Sequence, residues 1–281
     1  IWHTPSVLHF GDWVAPDVPK MSQWQARSKY TATASLCNTS GTLAKIARIL
    51  GKTEDAAKYK ELSRKVADAY CSVLTDGSGK TKEEFQTAYV LPLYLNMFPE
   101  NVKAKAAENL VKLVEKNDYK IGTGFPGTPY ILFALADNGH ADTAYKMLLN
   151  TRCPSWLYEV RVGATTVWER WDGLDENGEG PIGDDGTDRM IAFLYRRVLG
   201  VEPTEAGYRK FKFAPVVGGG ITEAEGTVGT PYGVIKAAWK IADGEMTMTV
   251  AVPVGTECTV VLPSGEEKVL GSGEYTVTAK A

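Results

Sequence analysis

The residues best suited to chemistry lie between Gly163 and Gly173, which read GATTVWERWDG. Glu169 stands here between Trp168 and Trp171, and Arg170 follows it directly. Pyranose rings stack their C–H faces on indole, so a carboxylate among tryptophans suits sugar chemistry. Burial and neighbouring charges set the protonation state in which such a carboxyl group works. The segment therefore predicts a site for glycoside chemistry, with Glu169 as a catalytic carboxylate.

Three other short segments combine tryptophan, carboxylate, proline or glycine: Gly11-Asp12-Trp13, Thr123–Pro129 (TGFPGTP) and Pro154-Ser155-Trp156. Loops that join helical hairpins meet at one end of a helical array, where they can form a cleft. Together with the first segment, they predict a substrate-binding set made of Asp12, Trp13, Trp156, Trp168, Arg170 and Trp171.

Structural roles are the alternative for each of these residues. Tryptophans are often largely buried, so the four predicted here could be ordinary core residues. Asp12 also suits a turn or a helix cap, and Glu169 could instead pair with Arg170. Ser155 lacks a nucleophile elbow and a suitable histidine partner, which argues against serine hydrolase chemistry.

The elements that must position these loops have helical periodicity up to about residue 205. Thr53 is suited to cap one helix, and Thr128 is suited to cap another with Pro129 as its first residue. Pro92 should kink or end the helix that it interrupts. The predicted helical segments are Thr42–Gly51, the stretch after Thr53, Phe85–Phe98, Glu100–Lys116, a hairpin within Gly122–Asn150, and about Asp188–Leu199.

From about Lys210 the periodicity changes to that of strands. Apolar residues alternate with threonine and alanine between Met246 and Val252, and turn signals such as Asp243-Gly244 separate the runs. Short strands at this spacing are typical of an antiparallel sandwich or barrel. The sequence therefore predicts a helical domain over residues 1–205 and a β-sandwich domain over residues 206–281.

Composition and charge exclude several classes of partner. The 281 residues carry a formal net charge of -3, which does not provide the broad basic surface that nucleic acid requires. No apolar run reaches the ~18 residues of a membrane span. This is the composition of a soluble globular chain, and it leaves the compartment open between the cytoplasm and export.

Metal and cofactor signals are weak. The four cysteines, Cys37, Cys71, Cys153 and Cys258, lack the spacing of a zinc cluster and are interpreted as free thiols. His3, His9 and His140 lack partners at ligand spacing. The acidic loop Asp172–Asp188 begins like a calcium loop, but Gly186 occupies the position that needs a bidentate glutamate. We therefore expect no cofactor and no bound metal.

Over most of its length the sequence resembles the bacterial inverting α-L-rhamnosidases. The matching segments are GDW near the start, TGFPGTP, PSW, and above all GATTVWERWDG, followed by the closing strands. The resemblance implies a catalytic (α/α)6 toroid followed by a C-terminal β-sandwich. It also implies hydrolysis of terminal α-L-rhamnosides with inversion, and a rhamnoside as the substrate.

By this resemblance Glu169 is the general base, and Trp13 matches a sugar-stacking tryptophan. Inversion also requires a general acid, with the two carboxyl groups roughly 6.5–9.5 Å apart. The family's acid lies in a segment upstream of GDW, and residues 1–10 do not match that segment. We therefore expect a processed or truncated chain that lacks the first hairpins and the proton donor, and whose exposed apolar helix faces favour self-association.

A second departure concerns the sugar pocket. The family has an Asn-His-Tyr run downstream of the base, whereas this chain reads GDDGTDR over Gly183–Arg189. Two other hypotheses therefore remain open. One is a carbohydrate-binding or scaffolding piece that cuts no bond, and the other is a six-hairpin glycosidase or lyase acting on a different sugar.

Overall fold

The structure is a computed structural model, and it describes residues 1, 8–174, 178 and 190–281. The chain divides into two compact units, Ile1–Arg189 and Met190–Ala281. The first unit is helical and the second is built from strands, which confirms the predicted order of a helical part followed by a β part.

The two compact units divide after Arg189, and the predicted domain bounds of 1–205 and 206–281 stay a prediction. Residues after 189 pack with the strands that follow them. The indole N–H of Trp239 donates to the carbonyl of Val198 at 2.8 Å, and Leu199 and Val201 are buried in the core of the second unit. The predicted helix over Asp188–Leu199 is observed as α9 (Met190–Phe193) and a π-helical turn; its first two residues lie outside the described part.

The first unit consists of helices that pack in pairs. The pairs are α2 with α3, α4 with α5, and α6 with α7, as expected for consecutive helices joined by short loops. A 3-10 turn at Thr128–Tyr130 leads into α6. The bounds are α1 (Met21–Ala26), α2 (Ser28–Ile49), α3 (Thr53–Leu74), α4 (Gln86–Tyr94), α5 (Glu100–Lys116), α6 (Ile131–Ala136), α7 (Ala141–Leu148) and α8 (Trp156–Arg161).

Helix α2 begins well before the predicted start at Thr42. Its first half is rich in threonine and serine, which have modest helix propensity and hid the helix from the sequence pattern. Packing overrides this weak propensity, because Tyr30, Ala34 and Cys37 are buried in one core with Tyr70 of α3 and with α4. The predicted segment Glu100–Lys116, by contrast, matches α5 at both ends.

Pro92 lies inside α4 and does not end it, since the helix continues to Tyr94. Proline has no N–H, so it cannot donate to the carbonyl four residues earlier, which belongs to Ala88. The hydroxyl of Tyr70 in α3 donates to that carbonyl at 2.7 Å, in a buried contact. A neighbouring helix thus supplies the hydrogen bond that proline removes.

The second unit has two four-stranded sheets, with strand orders β1-β2-β6-β7 and β3-β4-β5-β8. The second sheet is antiparallel as predicted, whereas β2 and β6 pair in parallel and make the first sheet mixed. Inward residues of both sheets form the core, including Phe211, Trp239 and Met248. The strands are β1 (Val201–Pro203), β2 (Lys210–Phe213), β3 (Glu223–Thr230), β4 (Gly233–Ala242), β5 (Glu245–Val252), β6 (Glu257–Val261), β7 (Glu267–Leu270) and β8 (Gly273–Lys280).

The cysteines are free thiols, with Cys37 and Cys258 buried and the other two half-buried. Burial raises the pKa of Cys258 to about 12. Within the described ranges, no helix combines the length and apolar character needed to cross a membrane. The same residues contain no group of three histidine, cysteine or acidic side chains placed to hold a metal ion. The predicted calcium-loop resemblance between Asp175 and Gly186 falls almost wholly outside the described residues.

Candidate functional site

Glu169 and Trp13 meet directly, although 156 positions separate them. Glu169 lies in the non-helical segment after α8 and is half-buried. The indole N–H of Trp13 donates to Oε1 of Glu169 at 3.2 Å. Of the residues that the structure describes, Trp13 alone donates to this carboxylate. The structure therefore brings together the predicted base and the predicted sugar platform.

Asp12 is fully buried and uses both carboxylate oxygens inside the protein. Oδ1 accepts from the hydroxyl of Thr87 at 2.8 Å and from the N–H of Gly124 at 3.0 Å, while Oδ2 accepts from Arg27 at 3.1 Å. These contacts favour a structural role for Asp12, in which it braces its loop against Arg27, Thr87 and Gly124. A direct contact between Asp12 and substrate stays a prediction, and the absence of exposed surface does not support it.

Burial raises the pKa of Asp12 to about 6, against the Arg27 charge and the Thr87 hydrogen bond, which lower it. Arg27 also donates to both carboxylate oxygens of Asp17 at 2.7 Å, and its guanidinium lies 4.2 Å from the ring centre of Phe85. The cation that balances Asp12 is therefore itself fixed on two sides.

Two glycines allow the loop of Asp12 and Trp13 to pack against main chain. At Gly11, whose φ is +66°, a Cβ would lie 1.8 Å from the carbonyl oxygen of Trp24. At Gly124 a Cβ would lie 2.2 Å from the carbonyl oxygen of Trp13. That oxygen accepts from the N–H of Phe125 at 2.9 Å, so the GDW and TGFPGTP segments are joined through backbone.

The ring of Trp13 is also fixed by aromatic neighbours. Phe10 and Trp24 meet it edge-on, with centroid distances of 4.8 and 5.3 Å. Trp24 in turn donates its indole N–H to the carbonyls of Ala15 and Val18, which belong to the same loop. Trp13 remains half-buried, and sugar stacking on it stays a prediction.

The other three predicted tryptophans are buried. Trp156, Trp168 and Trp171 are 2%, 5% and 8% exposed. Trp156 and Trp171 pack edge-to-face at 6.0 Å, and the carbonyl of Trp171 accepts from the Cys153 thiol at 3.4 Å. Their burial favours a role in packing the segment that carries Glu169, and their direct contact with sugar stays a prediction.

Arg170 is exposed and forms a two-point pair with Asp172, at 3.1 and 2.9 Å. This hydrogen bonding raises the pKa of Arg170 and lowers that of Asp172. The alternative in which Glu169 pairs with Arg170 is therefore not what the structure shows. A contact between Arg170 and substrate stays a prediction.

Sequence reasoning missed Arg27 and Thr87, which hold Asp12 in place. Thr87 carried a usable signal, because it is a polar residue within the apolar run that starts at Phe85. The structure shows that this position is fully buried. Arg27 carried none, since an arginine next to a helix start is unremarkable without knowledge of its neighbours in space.

Two family models match the chain. Residues 2–190 match the bacterial alpha-L-rhamnosidase 6 hairpin glycosidase domain, and residues 200–276 match the bacterial alpha-L-rhamnosidase C-terminal domain.

Two solved structures share the fold at TM-scores of 0.86 and 0.84. One is the native α-L-rhamnosidase of Aspergillus terreus, 32% identical over 98% of this chain and 33% of that chain. The other is the Streptomyces avermitilis enzyme complexed with L-rhamnose, 31% identical over 96% of this chain and 28% of that chain.

Curated relatives give the same result. An α-L-rhamnosidase of Streptomyces avermitilis is 34% identical over 263 residues, which cover 91% of this chain and 25% of the relative. One from Formosa agariphila is 31% identical over 270 residues, covering 93% and 29%. The chain thus spans between a quarter and a third of the length of these relatives. With the six-hairpin model covering residues 2–190, the chain belongs to the bacterial α-L-rhamnosidase six-hairpin glycosidase family.

Proposed function

We propose that this chain carries the general-base part of an α-L-rhamnosidase active site, which hydrolyses terminal α-L-rhamnosides with inversion. Family membership and the L-rhamnose complex of the Streptomyces avermitilis relative support the substrate class. The observation that carries the proposal is the hydrogen bond from the Trp13 indole to Glu169, because it joins the predicted carboxylate to a side chain of the type on which sugars stack.

In the proposed reaction, Glu169 accepts a proton from a water molecule while the water oxygen bonds to the anomeric carbon. The glycosidic bond breaks at the same time, and the leaving oxygen takes the bonding electron pair. With ordinary substrates a second carboxyl group, roughly 6.5–9.5 Å from the base, protonates that oxygen. The expectation that this acid lies in a segment upstream of Gly11 stays a prediction.

An activated substrate tests the base independently of the acid. The 2,4-dinitrophenolate group leaves without protonation, so hydrolysis of 2,4-dinitrophenyl α-L-rhamnoside requires only the base and a bound sugar. We expect turnover by this chain, with the β-anomer of L-rhamnose as the first product in proton NMR spectra. Glu169→Gln should lower kcat about 10²–10⁴-fold, which is the usual contribution of general base catalysis.

Glu225→Gln is the matched control, because it makes the same change at an exposed glutamate of β3. An unchanged rate in Glu169→Gln would contradict the general-base role. Binding of L-rhamnose without hydrolysis of the activated substrate would support the alternative of a carbohydrate-binding piece. Faster hydrolysis of another aryl glycoside in the same panel would support a six-hairpin glycosidase with a different sugar preference.

A further inference from the structure

Asp12 is unusual because a fully buried carboxylate has three donors from three separate parts of the chain. The donors are the Arg27 guanidinium just before α2, the Thr87 hydroxyl in α4, and the N–H of Gly124. A buried charge is retained in a protein only when its partners compensate for lost hydration. The arrangement therefore fixes the position of Asp12 closely, and with it the residue that follows.

That next residue is Trp13, and its position is restrained in three ways. Its carbonyl accepts from Phe125, its ring meets Phe10 and Trp24 edge-on, and its indole N–H donates to Glu169. Trp13 therefore connects the hydrogen-bonded cluster around Asp12 to the Glu169 carboxylate of the GATTVWERWDG segment. A small shift of Asp12 would be passed to the indole, because adjacent residues share one rigid peptide plane.

Each oxygen of Glu169 has a different environment. Oε1 accepts from Trp13, while Oε2 accepts no hydrogen bond from any residue within the described part of the chain. A general base must direct one lone pair at its water, so restraint of one oxygen orients the other. We propose that Asp12 is a positioning residue, which holds Trp13 so that its indole fixes Oε1 of Glu169 and leaves Oε2 to take the proton from water.

This inference deepens the proposed function and rests on it for the identity of the base, but its structural core is testable without catalysis. Each of the seven tryptophans gives one indole N–H resonance in a ¹H–¹⁵N spectrum. Trp13→Phe assigns the resonance of interest by its disappearance. Trp239, whose indole donates to Val198 in the second unit, provides an internal control.

Thr87→Val is the decisive variant, because it removes one donor to Asp12 at nearly constant volume. We expect the Trp13 resonance to move toward its position in Glu169→Gln, while the Trp239 resonance stays fixed. Thr87→Ser restores the hydroxyl and should restore the resonance. Asp12→Asn provides a second perturbation of the same cluster and should move the Trp13 resonance in the same direction.

The kinetic arm uses 2,4-dinitrophenyl α-L-rhamnoside. We expect Thr87→Val to lower kcat about tenfold with little change in KM, since misplacement of a reacting group costs rate more than ground-state binding. A lower melting temperature with an unmoved Trp13 resonance in both Thr87→Val and Asp12→Asn would overturn the inference and leave Asp12 a purely structural residue. If Glu169→Gln leaves the rate of this hydrolysis unchanged, the proposed function fails, while the resonances still decide whether Asp12 controls the Trp13–Glu169 contact.

Discussion

The contact between Trp13 and Glu169 depends on residues that carry no chemistry of their own. The GDW segment lies so close to the TGFPGTP segment that main chain meets main chain at Gly124. The N–H of the same glycine also donates to Asp12. A side chain at this position would therefore push the two segments apart and would also disturb the hydrogen bond to the buried Asp12 carboxylate.

Gly124→Ala should be one of the most damaging single-methyl changes in the first unit. The new Cβ would lie 2.2 Å from the carbonyl oxygen of Trp13 and 2.6 Å from that of Asp12, so the backbone must move. We expect a loss of about 2–3 kcal/mol in the free energy of unfolding, measured by urea denaturation. Gly229→Ala is the control, because nothing lies within 4 Å of the added Cβ. Equal stability of the two variants would show that the close approach is not required.

At the scale of the helix, α3 supplies a hydrogen bond that α4 cannot make for itself. Pro92 removes the intrahelical donor for the carbonyl of Ala88, and the hydroxyl of Tyr70 replaces it. Tyr70 is fully buried, so its hydroxyl would lack a water partner if it did not make this bond. Burial raises the pKa of Tyr70 well above its usual value, which keeps the hydroxyl a donor.

Tyr70→Phe should cost about 1–3 kcal/mol of unfolding free energy, because it leaves a buried carbonyl without a donor. The cost should shrink when Pro92→Ala is also present, since alanine restores an N–H four residues after Ala88. A double-mutant cycle of urea unfolding curves measures this coupling. Additive effects of the two changes would mean that the hydroxyl does not substitute for the missing helix bond.

Helices α5 and α2 show how much of the fold could be predicted from the sequence. The bounds of α5 follow from its apolar periodicity, and the order of helices then strands follows from a change of period. The first half of α2 could not be predicted, because its threonines and serines gain their helical state from packing against α3 and α4. The parallel pairing of β2 with β6 was equally hidden, since periodicity identifies strands without giving their partners.

The residues of the candidate site also fall into those that the sequence predicted and those that it did not. Glu169 and Trp13 stood out because their residue types and neighbours are rare in combination. Asp12 was found by its position beside Trp13, but its bracing role depends on Arg27 and Thr87, which are distant in sequence. Contacts of this kind follow from the assembled fold, and no local pattern of residue types encodes them.

At the scale of the whole molecule, Asp12 should make stability depend on pH. Its pKa is about 6 in the folded chain and 3.8 without burial, so between these values the folded state holds the proton more tightly. The contribution of Asp12 to stability is therefore fully present below about pH 4 and is lost as the pH rises through 6. The expected loss is about 3 kcal/mol.

The comparison with Asp12→Asn isolates this effect, because all other carboxylates are common to both chains. Urea unfolding of the two proteins between pH 4 and 7 should show their difference in unfolding free energy changing by about 2.4 kcal/mol in favour of the variant at the higher pH, because part of the change already lies below pH 4. A difference that does not vary with pH would mean that Asp12 titrates at its ordinary value.

Helix α2 presents an apolar stripe to solvent, made of Leu36, Leu43 and Ile46, and Leu50 directly after the helix continues the same spacing. Ile49 beside it is 80% exposed. Contiguous exposed apolar surface of this kind marks an interaction site or an association liability.

We expect the chain to bind a hydrophobic dye and to show concentration-dependent sedimentation. The double variant Leu43→Glu with Ile46→Lys should reduce both without unfolding the chain. Val254→Lys, at a valine of the second unit that is 83% exposed, should change neither. A dye-silent chain that sediments as a monomer at all concentrations would show that the stripe drives no association.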